Sequence, residues 1–201
     1  MFTDLVTAPR RFSFKFSLQR VHRLASFDLT VRDAVSEQDW AHVRMLMREY
    51  AGWVNRSGQK EHICLQTYEE ELASLPGDYQ APRGAFLLAV IEGEAAGCVA
   101  LRPLASADSE GPDEYGEMKR LWVRPQFRGR ELGRRLIEAI LARAAACGYT
   151  ALYLDTIPAQ MQSAARLYRQ LRFEPAENPY ASAAETSRQA EDVIYMKRTI
   201  P

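Results

Sequence analysis

The stretch RPQFRGRELGRRL, Arg124 to Leu136, places five arginines, two glycines and one glutamate in thirteen positions. The residues before it, Met118 to Val123 (MKRLWV), have strand character. After it, Leu132, Leu136, Ile137, Ile140, Leu141 and Ala144 recur at the three- and four-residue spacing of a buried helical face. A chain that leaves a strand and enters a helix here exposes the first helical N–H groups, which lack internal partners and sit at the positive end of the helix dipole. Glycines 129 and 133 let that backbone approach a guest closely, and the arginines surround it with positive charge. The chemistry suits phosphate, and a pyrophosphate above all. No GxxxxGK[ST] occurs, and no GxGxxG opens a first strand–helix–strand unit, so a P-loop and a dinucleotide fingerprint are both excluded.

Outward from this turn the chain reads as alternating elements. FDLTVRDA (27–34) alternates as a first strand. Ser36 and Asp39 then form a capping-box pattern ahead of a helix with Trp40, Val43, Met47 and Tyr50 on one face. TYEEELASL (67–75) reads as a second helix stopped by Pro76-Gly77. AFLLAVIE and CVALRPL read as a hairpin turning through GEAAG, residues 93–97. The fourth strand, MKRLWV, leads into the arginine-rich turn and a helix closed by Gly148. YTALYLDT is a fifth strand, AQMQSAARLYRQL a helix, RFEP the start of a sixth strand and VIYMKRT a last one. The order predicts one α/β domain over residues 27–201.

Composition limits the rest. The 201 residues are 47% hydrophobic with a formal net charge of zero, so nothing in the global balance points to nucleic acid or an anionic membrane. Cys64, Cys98 and Cys147 are scattered without a CxxC pair, as are His22, His42 and His62 without HExxH. That pattern fits reduced cysteines in a cytoplasmic protein with no metal site. No apolar run reaches the roughly twenty residues of a membrane span. Residues 1–26 carry Arg10, Arg11, Lys15, Arg20 and Arg23 against Asp4 alone. The composition resembles organelle targeting, but a disordered N-terminal extension is the reading preferred.

The strand LWVRP, the turn RGRELGRRL, the long helix, the strand LYLDT and the helix SAARLYRQLRF together resemble the GNAT N-acetyltransferase family. Arg128 and Gly133 match the first and last positions of its [RQ]xxGx[GA] motif, with Glu131 at the intervening glycine. Ala164, Leu167, Tyr168 and Phe173 match its AxxLYxxxGF helix, with Arg172 at the glycine. The resemblance implies a mixed, mostly antiparallel twisted sheet of six to seven strands with flanking helices, splayed between the fourth and fifth strands. It implies acetyl-CoA as cosubstrate, without a metal, and transfer of its acetyl group to the amine of a small molecule or peptide by direct attack. A non-catalytic acyl-CoA sensor on the same fold is the alternative.

The same resemblance assigns residues. The CoA contacts would come from Leu121, Trp122 and Val123 along the strand and from Arg128, Gly129, Arg130, Glu131, Leu132, Gly133 and Arg134 around the turn. Glycine's own advantage at position 131 is positive φ or close approach; if Glu131 lies in the first helical turn its φ is negative and glutamate outperforms glycine as a helix former, with its carboxylate aimed at Arg134, Arg135 or solvent. Tyr168 would protonate the leaving thiolate, the bare alternative being a core tyrosine. Glu117, eleven residues before Arg128, would serve as general base, against a charge paired with Lys119 or Arg120, with water as the competing base. The acceptor pocket is expected between NRSGQKEHICLQ (55–66) and EPAENPYASAAETSRQAED (174–192), with Asp108, Glu110, Asp113 and Glu114 in a nearby acidic loop. Nucleic acid and membrane are not expected partners, and homodimerisation is left open.

Overall fold

A computed structural model describes residues 28–56, 65–104, 114–159, 161–180 and 193–201. The N-terminal extension, Cys64, Asp108, Glu110, Asp113 and most of both expected pocket walls lie outside the described residues.

The chain runs β1 (Leu29–Asp33), α1 (Glu37–Arg56), α2 (Leu65–Ser74), β2 (Ala85–Ile91), β3 (Glu94–Pro103), β4 (Tyr115–Val123), α3 (Leu132–Ala146), β5 (Ala151–Thr156), α4 (Gln162–Gln170), β6 (Glu174–Ala176) and β7 (Ile194–Thr199). The seven strands form one sheet in the order β1-β2-β3-β4-β5-β7-β6. Neighbours are antiparallel except β4 and β5, which run parallel.

Helices cover both faces, which explains why β2 (AFLLAVI) is apolar at every position instead of alternating. On the front face, Phe86, Leu88, Cys98, Ala100 and Trp122 pack against Val43, Leu46 and Met47 of α1 and Tyr68 and Leu72 of α2. On the back, Leu87, Val99, Leu101, Met118, Leu152, Leu154 and Met196 pack against Leu136, Ile137 and Ile140 of α3 and Tyr168 of α4. Each fully buried side chain of this size contributes about 1.5–3 kcal/mol.

The start of α1 is a capping box. Asp39 N–H donates to Ser36 Oγ at 3.1 Å, and Ser36 N–H donates to Asp39 Oδ2 at 3.0 Å. Arg32 Nη2 donates to the other carboxylate oxygen at 2.6 Å. This hydrogen bond, with those from the Ser36 and Val35 amides, overcomes burial and holds the Asp39 carboxyl well below the usual carboxylate range.

Two expected boundaries move. The hairpin turns at Glu92-Gly93, both at positive φ (50° and 83°), the geometry of a two-residue type I′ turn. Ala95, Ala96 and Gly97 therefore belong to β3. The turn-like smallness of GEAAG instead serves close packing, since a Cβ on Gly97 would stand 2.6 Å from the Trp122 carbonyl oxygen. β4 begins at Tyr115, ahead of the MKRLWV run, and Glu117 lies on it as expected.

Candidate active site

β4 and β5 are in register over three residues only, Tyr115↔Ala151, Gly116↔Leu152 and Glu117↔Tyr153. Past Glu117 the strands part, and β5 continues paired to β7 alone. The expected splay is therefore present, and its cause lies on the other edge of β4. Between Lys119↔Ala100 and Trp122↔Cys98, β4 holds one residue more than β3. This bulge centres on Arg120, whose φ is +57°. Arg124 N–H donates to Ala96 O of β3 at 3.0 Å. By strand alternation the amides of Val123 and Leu121 face the opposite way, into the cleft. A cleft edged by strand N–H groups can bind an extended chain of amide groups and polarise a carbonyl oxygen.

At the open end of the cleft, β4 passes through a short 3₁₀ turn (Pro125–Phe127) to α3. Gly129 has φ +75° with open space around it, and Glu131, which caps α3, has φ +60°. Glu131 is thus left-handed and stands ahead of the helix. The condition for negative φ is not met because α3 starts one residue later, at Leu132, and the positive-φ alternative holds. The family's glycine position is a position that favours glycine on backbone grounds. With Arg130 between them at negative φ, the alternating signs curl successive N–H groups toward one side, as in anion-binding nests. The Glu131 carboxylate points outward: it is 75% exposed and 3.9 Å from Arg134 Nε.

The surrounding side chains divide the expected roles. Arg124 does not join a phosphate patch. It turns back to Glu49 (Nη2–Oε1 2.7 Å), Glu94 (3.0 Å) and the Ala95 carbonyl (2.8 Å), tying β4 to α1 and the hairpin. Arg128 donates from Nε to Val123 O at 3.0 Å and lies 4.9 Å from the Trp122 ring centroid. Trp122 and Leu132 are buried in the front and back cores. Arg130 is exposed, and Arg134 reaches Gln170 Oε1 of α4 at 3.0 Å. Gly133 lies in α3, where a Cβ would meet Leu167 Cδ2 of α4 at 3.3 Å. The motif's last glycine thus lets the two helices approach.

Tyr168, on α4, packs its ring against Phe173 at 5.8 Å in the back core. Tyr50 and Asp155, both on the front side, act on its buried hydroxyl electrostatically. Burial, reinforced by those two groups, raises its pKa above the usual phenol value, leaving it a proton donor at neutral pH. Nearby Tyr50 is pushed up to about 12, chiefly by burial.

Glu117 is completely buried, at 0% exposure. It accepts from Arg102 Nε (2.7 Å), Lys119 Nζ (2.7 Å) and the Tyr180 hydroxyl. Lys119 Nζ also reaches Asp155 Oδ1 at 3.2 Å. Held this way, the carboxylate anchors donors from three elements and presents no open side to an amine. Of the two partners weighed for it from sequence, Lys119 is present and Arg120 binds elsewhere. It pairs through two nitrogens with Glu71 of α2 (Nε–Oε1 2.9 Å) and lies 4.7 Å from the Tyr68 ring centroid. Tyr79 Oη donates to the same Glu71 at 2.6 Å. Burial works to raise the Glu71 pKa, but the Arg120 bonds outweigh it and hold the group below its usual range.

Sequence reading missed Arg102 and the Glu71–Arg120 pair. One signal was present: Glu71 shares a helical face with Tyr68, Leu72 and Leu75, which is an acid on an apolar stripe. Tyr180 lies in the 174–192 stretch expected to wall the acceptor pocket, and its bond to Glu117 is not readable from sequence.

Among the described residues no cluster of three metal-binding side chains occurs, and no helix is long and apolar enough to cross a membrane.

The chain is 34% identical to an uncharacterised N-acetyltransferase of Schizosaccharomyces pombe over 161 residues, covering 80% of this chain and 88% of that protein. An acetyltransferase from Streptococcus agalactiae superposes with a TM-score of 0.65 at 18% identity, over 85% of this chain and 98% of its own. A Salmonella typhimurium acetyltransferase solved with its cofactor acetyl-CoA gives 0.60 at 18% identity, over 86% and 94%. The family model described as acetyltransferase (GNAT) matches residues 44–173. With the splayed β4–β5 pair and the glycine-bearing turn into α3, these matches establish that the chain belongs to the GNAT acetyltransferase family.

Proposed function

We propose that the protein transfers the acetyl group of acetyl-CoA to the amine of a small molecule or peptide by direct attack. The single observation that carries this reading is the cleft: β4 and β5 part after Glu117↔Tyr153, with Leu121 and Val123 amides along one edge and the curled Gly129–Glu131 turn at its open end. The N–H groups around Gly129, Arg130, Glu131, Leu132 and Gly133 hold the pyrophosphate, with Arg128, Arg130 and Arg134 supplying positive charge around it. Because those contacts are made by the main chain, Glu131 supplies its N–H as well as glycine would. Leu121 and Val123 present strand backbone to the pantetheine arm, while Trp122 between them turns its backbone to β3, and an amide of this run polarises the thioester carbonyl.

The amine nitrogen attacks the carbonyl carbon, the C–S bond breaks, and the thiolate takes a proton from Tyr168 while the amine gives one up. Glu117 does not take that proton in this reading. It is buried under three donors, so water accepts the proton and Glu117 fixes the cleft apex. The test is thiol release by the full chain with acetyl-CoA and a panel of amines. Amine-dependent release with a matching N-acetyl product is the expected result. Acetyl-CoA binding without turnover of any amine would favour the sensor instead.

A further inference from the structure

Arg102 and Glu117 are register partners on β3 and β4, and the row continues across the front face through Tyr153, Lys197 and Glu174. Three cations and three acids gather near the cleft apex, and most are closed pairs. Arg120 is held by Glu71, and Lys119 by Glu117 and Asp155. Arg102 differs. Its Nε is fixed by Glu117 at 2.7 Å, its side chain is 28% exposed, and among the described residues its two Nη groups have no hydrogen-bond partner.

A guanidinium pinned through Nε is left with its Nη1–Nη2 end, a planar two-donor edge that matches the two oxygens of a carboxylate. Buried Glu117 behind it fixes its orientation without covering that edge. The acids here do not offer the converse site. Glu117 accepts three donors and Glu71 accepts from Arg120 and Tyr79, so a second cation on the acceptor finds both occupied. A phosphate dianion fits poorly as well, with the Glu117 charge directly behind the guanidinium. Since Glu117 is also the last residue of β4 in register with β5, the Arg102 backbone stands one strand from the cleft apex, about 5 Å, on the same face as Glu117. That separation suits a compact molecule carrying both an amine and a carboxylate.

We infer that the acceptor is a free amino acid or similar amino-carboxylate, read by the Nη edge of Arg102. The inference rests on the acetyl-transfer reading above and adds its substrate class. The probes are the proteinogenic L-amino acids and their carboxamides, assayed by thiol release with the full-length protein, alongside acetyl-CoA binding by calorimetry.

The wild-type protein should use at least one amino acid with kcat/KM about tenfold or more above that of its amide. In Arg102→Gln that preference should fall to near unity through KM, with acetyl-CoA affinity unchanged. The acid-over-amide comparison in the wild type requires no variant, so misfolding of Arg102→Gln cannot mask the answer. Equal use of acids and amides, turnover of no amino acid, or a preference that survives in Arg102→Gln overturns the inference. Loss of acetyl-CoA binding by the wild type would instead overturn the transfer reading itself.

Discussion

Lys119 Nζ and Asp155 Oδ1, 3.2 Å apart, join β4 to β5 two residues beyond the last backbone register pair, Glu117↔Tyr153. The strands have already parted there, so side chains carry the contact that main chains have given up. Lys119 is only 10% exposed while Asp155 is 42% exposed, and the same ammonium also serves buried Glu117 at 2.7 Å. The two partners are therefore unequal.

Lys119→Met should lower unfolding free energy by about 3 kcal/mol, because it leaves Glu117 buried with one cation fewer. Asp155→Asn removes only the exposed half of the bridge and should change stability by less than about 1 kcal/mol. Urea denaturation of the two variants measures the difference. Equal losses would show that Glu117 does not depend on Lys119.

Glu131 and Arg172 occupy the two family glycine positions and both sit at positive φ, +60° and +62°. A non-glycine residue there costs about 1–2 kcal/mol, against about 0.4–1 kcal/mol for the extra freedom glycine gains on unfolding. Glu131→Gly and Arg172→Gly should each stabilise the fold, by up to about 1 kcal/mol. Acetyl-CoA affinity of Glu131→Gly should stay within about tenfold of wild type, or 1.4 kcal/mol. Thermal melts and calorimetry read the two quantities separately.

Tyr168→Phe removes the proposed proton donor while keeping the ring against Phe173. kcat should fall by about a hundredfold or more, with acetyl-CoA affinity unchanged. Burial raises the wild-type phenol above its usual range, so it stays protonated as pH rises. Any loss of wild-type rate below about pH 10 should therefore come from another group, and the pH–rate profile checks this.

The capping box makes stability depend on pH in a known direction. Asp39 is depressed in the folded protein, first by Arg32 and then by the amides of Ser36 and Val35. Its contribution is complete above the unfolded value of about 4 and is lost as pH falls toward the folded value. Asp39→Asn loses the charge that Arg32, 46% exposed, pairs with; it should cost up to about 1 kcal/mol at pH 7 and remove that part of the acid-side slope. Denaturation at pH 7 and pH 3 provides the comparison.

Much of this was legible in the chain because local rules and packing agree. Ser36 and Asp39 cap α1 as their spacing predicts, Gly148 closes α3 at φ +80°, and the apolar run of β2 lies between two helical layers. What was not legible depends on pairing across distance. Arg120 and Glu71 are 49 residues apart, Tyr180 and Glu117 63 apart, and no periodicity links them. Glu131 misled for a different reason. Propensity ranks glutamate as a helix former, yet one residue of boundary shift moves it from helical to left-handed backbone.

Calorimetric titration of the full chain with acetyl-CoA tests the central claim most directly. The account requires one site per chain with a Kd of about 10 µM or tighter, weakened by Gly129→Val, which places a β-branched residue at φ +75° in the turn. No binding up to about 1 mM would contradict it, because the curled turn and the cleft beside β4 would then be family geometry without the family's ligand.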